Sequence, residues 1–389
     1  MRLLAQSLAI NSMEIRDDAD LQALMAYQAY KFNTEFNGPV NQANIYLGLR
    51  RALTNLDVNY MVYFSGHTES VRSMVYAPRN KWLFTAGSDG RLIRWNPFGP
   101  EPVSDIIIGN NTINRIVAVS KDEKWLACGA EGIGIQLFNL TSTGLRPELL
   151  NAHQNRARSI VFLNNNREML TSGTDNTVLR WNLSTGSSQV FRELESSAQS
   201  LAISSDDRKV AIGTRSGKLL LFDMQGNNEP IELRNEPGNQ ILSVVFKSNN
   251  VLISGDQKGI VRIWYIAQNE QVFRRKLHQA RINEIQLDPS ERYIATSSTD
   301  GSVYVLDLEN LNQPAIEVAN LQGFVYSVAF INNGNNLIVG SNTSNPLVGH
   351  PVRMSELAGF ICPNVSRSMS KLEWNNYIGR DIPFEETCK

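Results

Sequence analysis

The chain is poor in the residues around which metalloproteins, hydrolases and disulfide-stapled secreted domains are built. Its 389 residues include only four histidines and three cysteines. Cys128, Cys362 and Cys388 show neither metal-ligand spacing nor pairing arithmetic, so they read as inert thiols in a reducing compartment, and a cytoplasmic location is expected. An excess of either charge is also missing: 37 Lys and Arg stand against 38 Asp and Glu, for a formal net charge of −1. That balance removes the general electrostatic footprint of a nucleic-acid or anionic-membrane binder. No run of about 20 apolar residues exists to span a bilayer as a helix. The opening stretch Met1–Ile10 is interrupted by Gln6 and Ser7 and does not read as a signal peptide.

Chemical signatures are equally scarce. There is no Gly-x-x-x-x-Gly-Lys-Ser/Thr phosphate loop, no Gly-x-Ser-x-Gly nucleophile elbow and no His-Glu-x-x-His zinc motif. The Gly-rich segment Cys128–Gly134 falls in a strand turn. Catalytic residues, cofactor sites and metal sites are therefore not expected. At 42% apolar and 19% charged residues the composition is that of an ordinary globular protein.

What the chain does have is a repeat. A pattern of strand, tight turn and strand recurs about every 42 residues, in the range that marks solenoids and propellers. Its clearest copies are Leu83–Trp95 and Leu170–Trp181, and its register runs through the closing residues Trp95, Phe138, Trp181, Phe222, Trp264 and Leu306 to a degenerate seventh copy around His350. In three copies a histidine lies 22 residues before the turn aspartate: His67 with Asp89, His153 with Asp175 and His278 with Asp300. A threonine follows each histidine by 18 residues, at Thr85, Thr171 and Thr296. An imidazole, a carboxylate and a hydroxyl buried without partners each cost a few kcal/mol, whereas a linked chain ending on an indole N–H satisfies them together. These histidines are accordingly read as structural.

Here the chain resembles the WD40 family, whose repeats carry a Gly-His pair, as in Gly66-His67, and end near Trp-Asp, which reads Trp-Asn at Trp95-Asn96 and Trp181-Asn182. The resemblance implies an all-β, seven-bladed propeller with a small N-terminal helical segment and a short C-terminal helical tail. Its tetrad maps onto His67, Thr85, Asp89 and Trp95 and onto His153, Thr171, Asp175 and Trp181, while the His278 copy has Leu306 in place of tryptophan. The expected organisation is a helical segment over 1–56, a propeller over 57–352 and a helical tail over 353–389. Residues 58–64 alternate as a strand without a repeat of their own and are expected to close the last blade.

The flanks change period. Leu21, Leu24, Met25, Phe32 and Phe36 form one helical stripe, Ile45, Leu49, Ala52, Leu53 and Leu56 another, and residues 3–15 a third, weaker one. In the tail, Ser370 and Glu373 have capping-box spacing ahead of Trp374, Tyr377 and Ile378. Leu4–Ala9, Leu24–Tyr30 and the ending Glu373–Gly379 with Pro383–Cys388 resemble the flanks of C-terminal WD40 regions in bacterial signalling proteins, among them STAND-class NTPases and caspase-like effectors. That resemblance implies a sensor half, encoded alone or excised, of a larger system, sometimes with a membrane helix upstream.

A propeller without catalytic residues offers a rigid face where loops converge, suited to a protein partner. Matching entries to the inner strands are read as Ser70 and Arg72, Thr112 and Asn114, Arg156 and Arg158, Ser197 and Gln199, Gln240 and Leu242, Arg281 and Asn283, and Phe324 and Tyr326. Arg72, Arg156, Arg158, Arg281, Phe324 and Tyr326 have the composition of an interface hot spot, set against the plainer reading of half-buried aromatics and rim-solvating arginines. The expected function is a non-catalytic interaction scaffold in the cytoplasm, the recognition module of a bacterial signalling assembly. Protein partners are expected, with no nucleic acid and no membrane insertion by this chain. The alternatives are a structural subunit of a multi-protein complex, tethered at a membrane, and a propeller hydrolase or lyase with a small-molecule site in its channel.

Overall fold

The computed structural model describes residues 1–388 except 100, 110, 111, 143, 152, 154, 155, 227, 228, 234 and 235. Short apolar runs broken by Gly, Asp and Asn turns give the described residues seven four-stranded antiparallel sheets. The innermost strands are Val71–Ala77, Asn114–Val119, Ala157–Phe162, Ala198–Ile203, Ile241–Ser248, Ile282–Leu287 and Val325–Ile331. They define blades one to seven of a β-propeller and pack side by side around a central channel.

Blades are joined by burial and by hydrogen bonds across their seams. Along the innermost strands, the Val117, Leu201 and Ile285 amides donate to the hydroxyls of Ser73, Ser159 and Ser243 in the preceding blade. In blade six Glu284 replaces the serine and accepts from the Val328 amide at 3.0 Å. At two of the same seams, between blades one and two and between blades three and four, Glu123 accepts from the Arg79 and Asn80 amides, and Asp207 from those of Asn164 and Asn165, all at 2.8 Å.

The ring closes with a strand from before the first repeat. Val62–Tyr63 pairs with Leu347–Pro351, the third strand of blade seven. This strand is two residues long rather than the seven expected over 58–64. Val58 instead caps the preceding helix, donating to the Leu53 carbonyl, and Val58 and Tyr60 pack against the helical core. The strand begins only where the chain leaves that core.

Three helices precede the propeller: α1 (Arg2–Glu14), α2 (Ala19–Glu35) and α3 (Ala43–Asn55). Asp18 caps α2 through the Leu21 amide, and Gln42 caps α3 through that of Ile45. The apolar faces of all three merge with blades six and seven in one core. Tyr46 donates to the Pro351 carbonyl at 2.7 Å, and Arg50 bridges to Glu317. In the tail, α4 (Met354–Gly359) and α5 (Lys371–Tyr377) fold back on these helices, α5 with both halves of its capping box formed. Trp374, fully buried, packs edge-on against Phe32 and Phe384, and Arg367 ties Asp18 to Glu373. Among the described residues no helix is long and apolar enough to cross a membrane.

The reading of three inert thiols is corrected here. Cys362 and Cys388 form a disulfide with a Cα–Cα separation of 5.4 Å, which pins the chain end to the segment after α4; only Cys128 is free, and it is buried. The cysteine argument for a reducing compartment therefore falls away.

Candidate functional site at the channel mouth

The three histidine-bearing copies form hydrogen-bond chains. In blade one the Trp95 indole donates to Thr85 Oγ1 at 2.7 Å, Thr85 Oγ1 lies 2.7 Å from His67 Nε2, and His67 Nδ1 lies 3.0 Å from Asp89. An indole only donates, so the threonine proton goes to Nε2 and the imidazole carries its own proton on Nδ1, facing the carboxylate. Blade three repeats the chain through Trp181, Thr171, His153 and Asp175 at 2.9, 2.9 and 3.0 Å. In blade six, where Leu306 cannot donate, Thr296 Oγ1 turns toward the Tyr304 carbonyl, and Ser302 links His278 Nδ1 to Asp300. Burial alone would raise the Asp89 carboxyl; the hydrogen bonds from His67 and from the Thr68 and Arg91 amides carry it below the usual carboxylate range. Both ring nitrogens of all three histidines are thus occupied within the blades.

The remaining histidine, His350, is 5% exposed, and its Nε2 has no partner among the described residues. Burial, then Arg50, pushes its pKa down to about 4. No group of three or more His, Cys, Asp or Glu among the described residues is placed to hold a metal.

The site that all seven blades build is a ring of β-bulges. In blade one Val71 pairs with Gly87 and Ser73 with Ala86, so Arg72 opposes no residue of its own. The same skip occurs at Arg115, Arg158, Gln199, Leu242, Asn283 and Tyr326. A bulged residue is released from the ladder and its side chain re-aimed. All seven side chains line one cavity of about 600 Å³ along the channel.

Three consecutive members of the ring are arginines. Arg72 donates from Nε to Ser88 Oγ at 2.6 Å and lies 4.1 Å from the centroid of the Tyr326 ring, the neighbour supplied by ring closure. Arg115 pairs with Glu131, which also accepts from Arg156 Nη1 at 2.9 Å. Hydrogen bonding from Arg115 is the chief reason that the Glu131 carboxyl titrates below the usual range. Arg158 makes no ion pair or side-chain hydrogen bond among the described residues, and its buried Nε is unpartnered. Burial, then the charges of Arg156, Arg115, Arg215 and Arg281, brings its guanidinium down to about 10, so it remains a cation at neutral pH. Glu284, deeper in the channel, is pushed up to about 7 by burial.

Of the six residues expected at a binding face, Arg72, Arg156, Arg158, Arg281 and Tyr326 line this one cavity. Phe324 does not; it is 47% exposed on the rim and packs edge-on against Tyr326 at 6.3 Å. The blade-two positions in the expected series, Thr112 and Asn114, are out of register: Asn114 is buried and ladder-paired, and Arg115 is the ring residue. Arg72, Arg115 and Arg158 each lie 23 residues before their blade's closing aromatic, Trp95, Phe138 and Trp181, a spacing that singles out Arg115. Also unforeseen is a buried cluster in blade five, where Arg262, 2% exposed, pairs with Asp256 beneath the half-exposed Glu236.

The family described as "Nucleolar protein 10-like, N-terminal domain" matches residues 67–287, and "WD domain, G-beta repeat" matches residues 269–307. Target of rapamycin complex subunit wat1 of Schizosaccharomyces pombe is 24% identical over 249 residues, covering 62% of this chain and 79% of that protein. A guanine nucleotide-binding protein subunit beta of Oryza sativa subsp. japonica is 22% identical over 64% of this chain and 58% of its own length. U3 small nucleolar RNA-associated protein 4 of Saccharomyces cerevisiae is 22% identical over 60% of this chain, which spans only 33% of that relative. The solved WD40 β-propeller domain of Doa1 shares the fold, with a TM-score of 0.65 at 18% identity over 76% of this chain and 97% of that domain. These named relatives are eukaryotic, and the flank resemblance to bacterial signalling proteins has no counterpart among them.

Proposed function

The chain belongs to the WD40-repeat β-propeller family, within the nucleolar-protein-10-like propeller domains, and on that premise we propose that it is a non-catalytic scaffold that holds a protein partner at the channel mouth. The observation that carries this reading is the bulge ring, because it delivers one side chain from every blade to a single opening. At one edge of that opening Arg72, Tyr326 and Phe324 form a contiguous cationic and aromatic surface. Arginine and tyrosine in a partly desolvated setting are the residues on which interface energy concentrates. The commitment of three histidines to intra-blade chains favours binding over catalysis. Two relatives are named as a complex subunit and a small-nucleolar-RNA-associated protein, which favours a place inside a larger assembly. The narrower reading, a bacterial signalling sensor, rests on the flank resemblance alone.

Cross-linking mass spectrometry of the chain in its native assembly tests the proposal. Cross-links from Thr68, Lys258 and other residues around the mouth to a partner are expected. Cross-links confined to α1, α2 and the tail would move the binding site to the helical flank.

A further inference from the structure

The arginine arc is built like a carboxylate receptor with one position left open. In blade one the ring arginine, Arg72, is satisfied by Ser88, the first residue of the turn after the second strand. In blade two the equivalent turn residue is Glu131, and its carboxylate binds Arg115 and Arg156 together. In blade three the equivalent residue is Thr174, which supplies no carboxylate, and its buried hydroxyl has no partner. Arg158 beside this gap is likewise unpartnered, although it stands among four other guanidinium groups. A half-buried cation among like charges, next to an unpaired hydroxyl, is an arrangement that an incoming anion stabilises.

We propose that Arg158, with Arg115 and Arg72 on the same arc, receives the side-chain carboxylates of an acidic peptide segment that enters the channel mouth. This rests on the protein-binding role proposed above and specifies the chemistry of the partner. The chain's own Glu131 shows that a carboxylate fits between neighbouring arginines here. Across the channel the ring residues Gln199, Leu242 and Asn283 carry no charge, although Arg281 also lines the cavity, so the ring's own cations are gathered on one arc, and Tyr326 and Phe324 at its edge suit an apolar residue flanking the acids. A nucleic-acid strand is disfavoured: a phosphodiester backbone needs a basic track to follow, whereas the chain as a whole has a formal net charge of −1. Glu131 is already paired with two arginines, and Glu284, the one carboxyl lining the cavity among the described residues, lies one residue deeper than the ring.

The test is fluorescence anisotropy of the full chain with a fluorescein-labelled peptide Glu-Glu-Leu-Glu-Glu-Phe, its glutamine counterpart and an oligouridylate of equal charge. The acidic peptide is expected to bind, to weaken at least tenfold between about 50 and about 500 mM salt, and to outcompete the oligouridylate; the glutamine peptide is expected not to bind. Arg158→Met should weaken binding at least tenfold and Arg158→Lys less, because lysine keeps the charge without the planar fork. Arg208→Met, on the exposed surface, should bind as wild type. Thermal melts of each variant establish that the propeller is intact. No binding of the acidic peptide, equal binding by Arg158→Met, or tighter binding of the oligouridylate would overturn the proposal. Failure here with partner cross-links still at the mouth would refute the acidic chemistry and leave the binding face standing.

Discussion

The guanidinium of Arg72 lies 4.1 Å from the centroid of the Tyr326 ring, joining the first blade to the seventh across the closure of the propeller. Its Nε is held by Ser88, so the planar group is fixed on two sides and the aromatic face beneath it is shielded from water. Such stacking is worth about 0.5–1 kcal/mol when exposed and about 2 kcal/mol when desolvated. It preorganises one edge of the channel mouth, because a long side chain already held in place loses little entropy when a partner docks.

The hydroxyl of Thr85 links an indole to an imidazole within a fully buried chain. Thr85→Val keeps the shape and removes the link, leaving the Trp95 N–H and His67 Nε2 unsatisfied. We expect a loss of about 1–3 kcal/mol in chemical denaturation with no change in partner binding. Wild-type stability would mean that the chain of bonds contributes nothing to the blade.

Blade five is held differently. Arg262→Met should cost about 3–5 kcal/mol, because it removes the cation paired with the buried carboxylate of Asp256. Glu236→Gln, at a side chain 39% exposed, should cost no more than about 1 kcal/mol. Similar losses in the two variants would show that the inner pair has no special weight.

The tail disulfide makes a prediction about compartment and stability. Cys362 and Cys388 are 26 residues apart, and closing a loop of that length constrains the unfolded chain by about 3.5 kcal/mol. Non-reducing peptide mapping of protein from its native source should recover the joined peptide, and Cys362→Ser with Cys388→Ser should lower the melting temperature. Two free thiols in the native protein would contradict the bond.

Glu284 should give the fold a pH-sensitive element. Its folded pKa is raised from 4.5 to about 7, by burial in the first place. An acid of this kind takes up a proton on folding, so its contribution is complete below about pH 4.5 and is lost as pH rises to about 7. Stability differences between Glu284→Gln and wild type should therefore grow in favour of the variant from about pH 5 to about pH 7 and level off above. Taking a difference matters because His350, with a pKa pushed down to about 4, contributes in the opposite sense as pH falls below 6.5. A difference that is flat across this range would place Glu284 in ordinary contact with solvent.

The propeller is legible in the sequence because each blade ends on a bulky residue at the same interval, and a sheet stacked between sheets tolerates little variation there. Trp95, Trp181 and Trp264 mark three blades directly, and Phe138, Phe222 and Leu306 mark three more. What escaped depends on contacts between distant parts of the chain. Cys388 reaches Cys362 only because Trp374 and Phe384 fold the tail against α2, and no local pattern carries that path. Arg262 reads as an exposed strand residue until Asp256 is seen beneath it. At the channel mouth, Arg72, Arg158 and Tyr326 lie where inner-strand spacing points, whereas Arg115 lies one residue beyond the position expected for blade two, Asn114. The bulge that turns these side chains inward is a backbone feature without a residue signature: arginine, glutamine, leucine, asparagine and tyrosine all occupy it.

A partner held at the channel mouth, and not on the helical flank, is lost when the mouth is altered and kept when the flank is. The most direct measurement is quantitative co-purification from the native cell, comparing wild type with the combined variant Arg72→Glu, Arg281→Glu, Tyr326→Ala and with Phe36→Ser at the C-cap of α2, each first matched for melting temperature. The account predicts that the mouth variant loses at least nine-tenths of the partner, the equivalent of about 1.4 kcal/mol or more, while the helix variant retains it. Full recovery of the partner by a well-folded mouth variant would contradict the account.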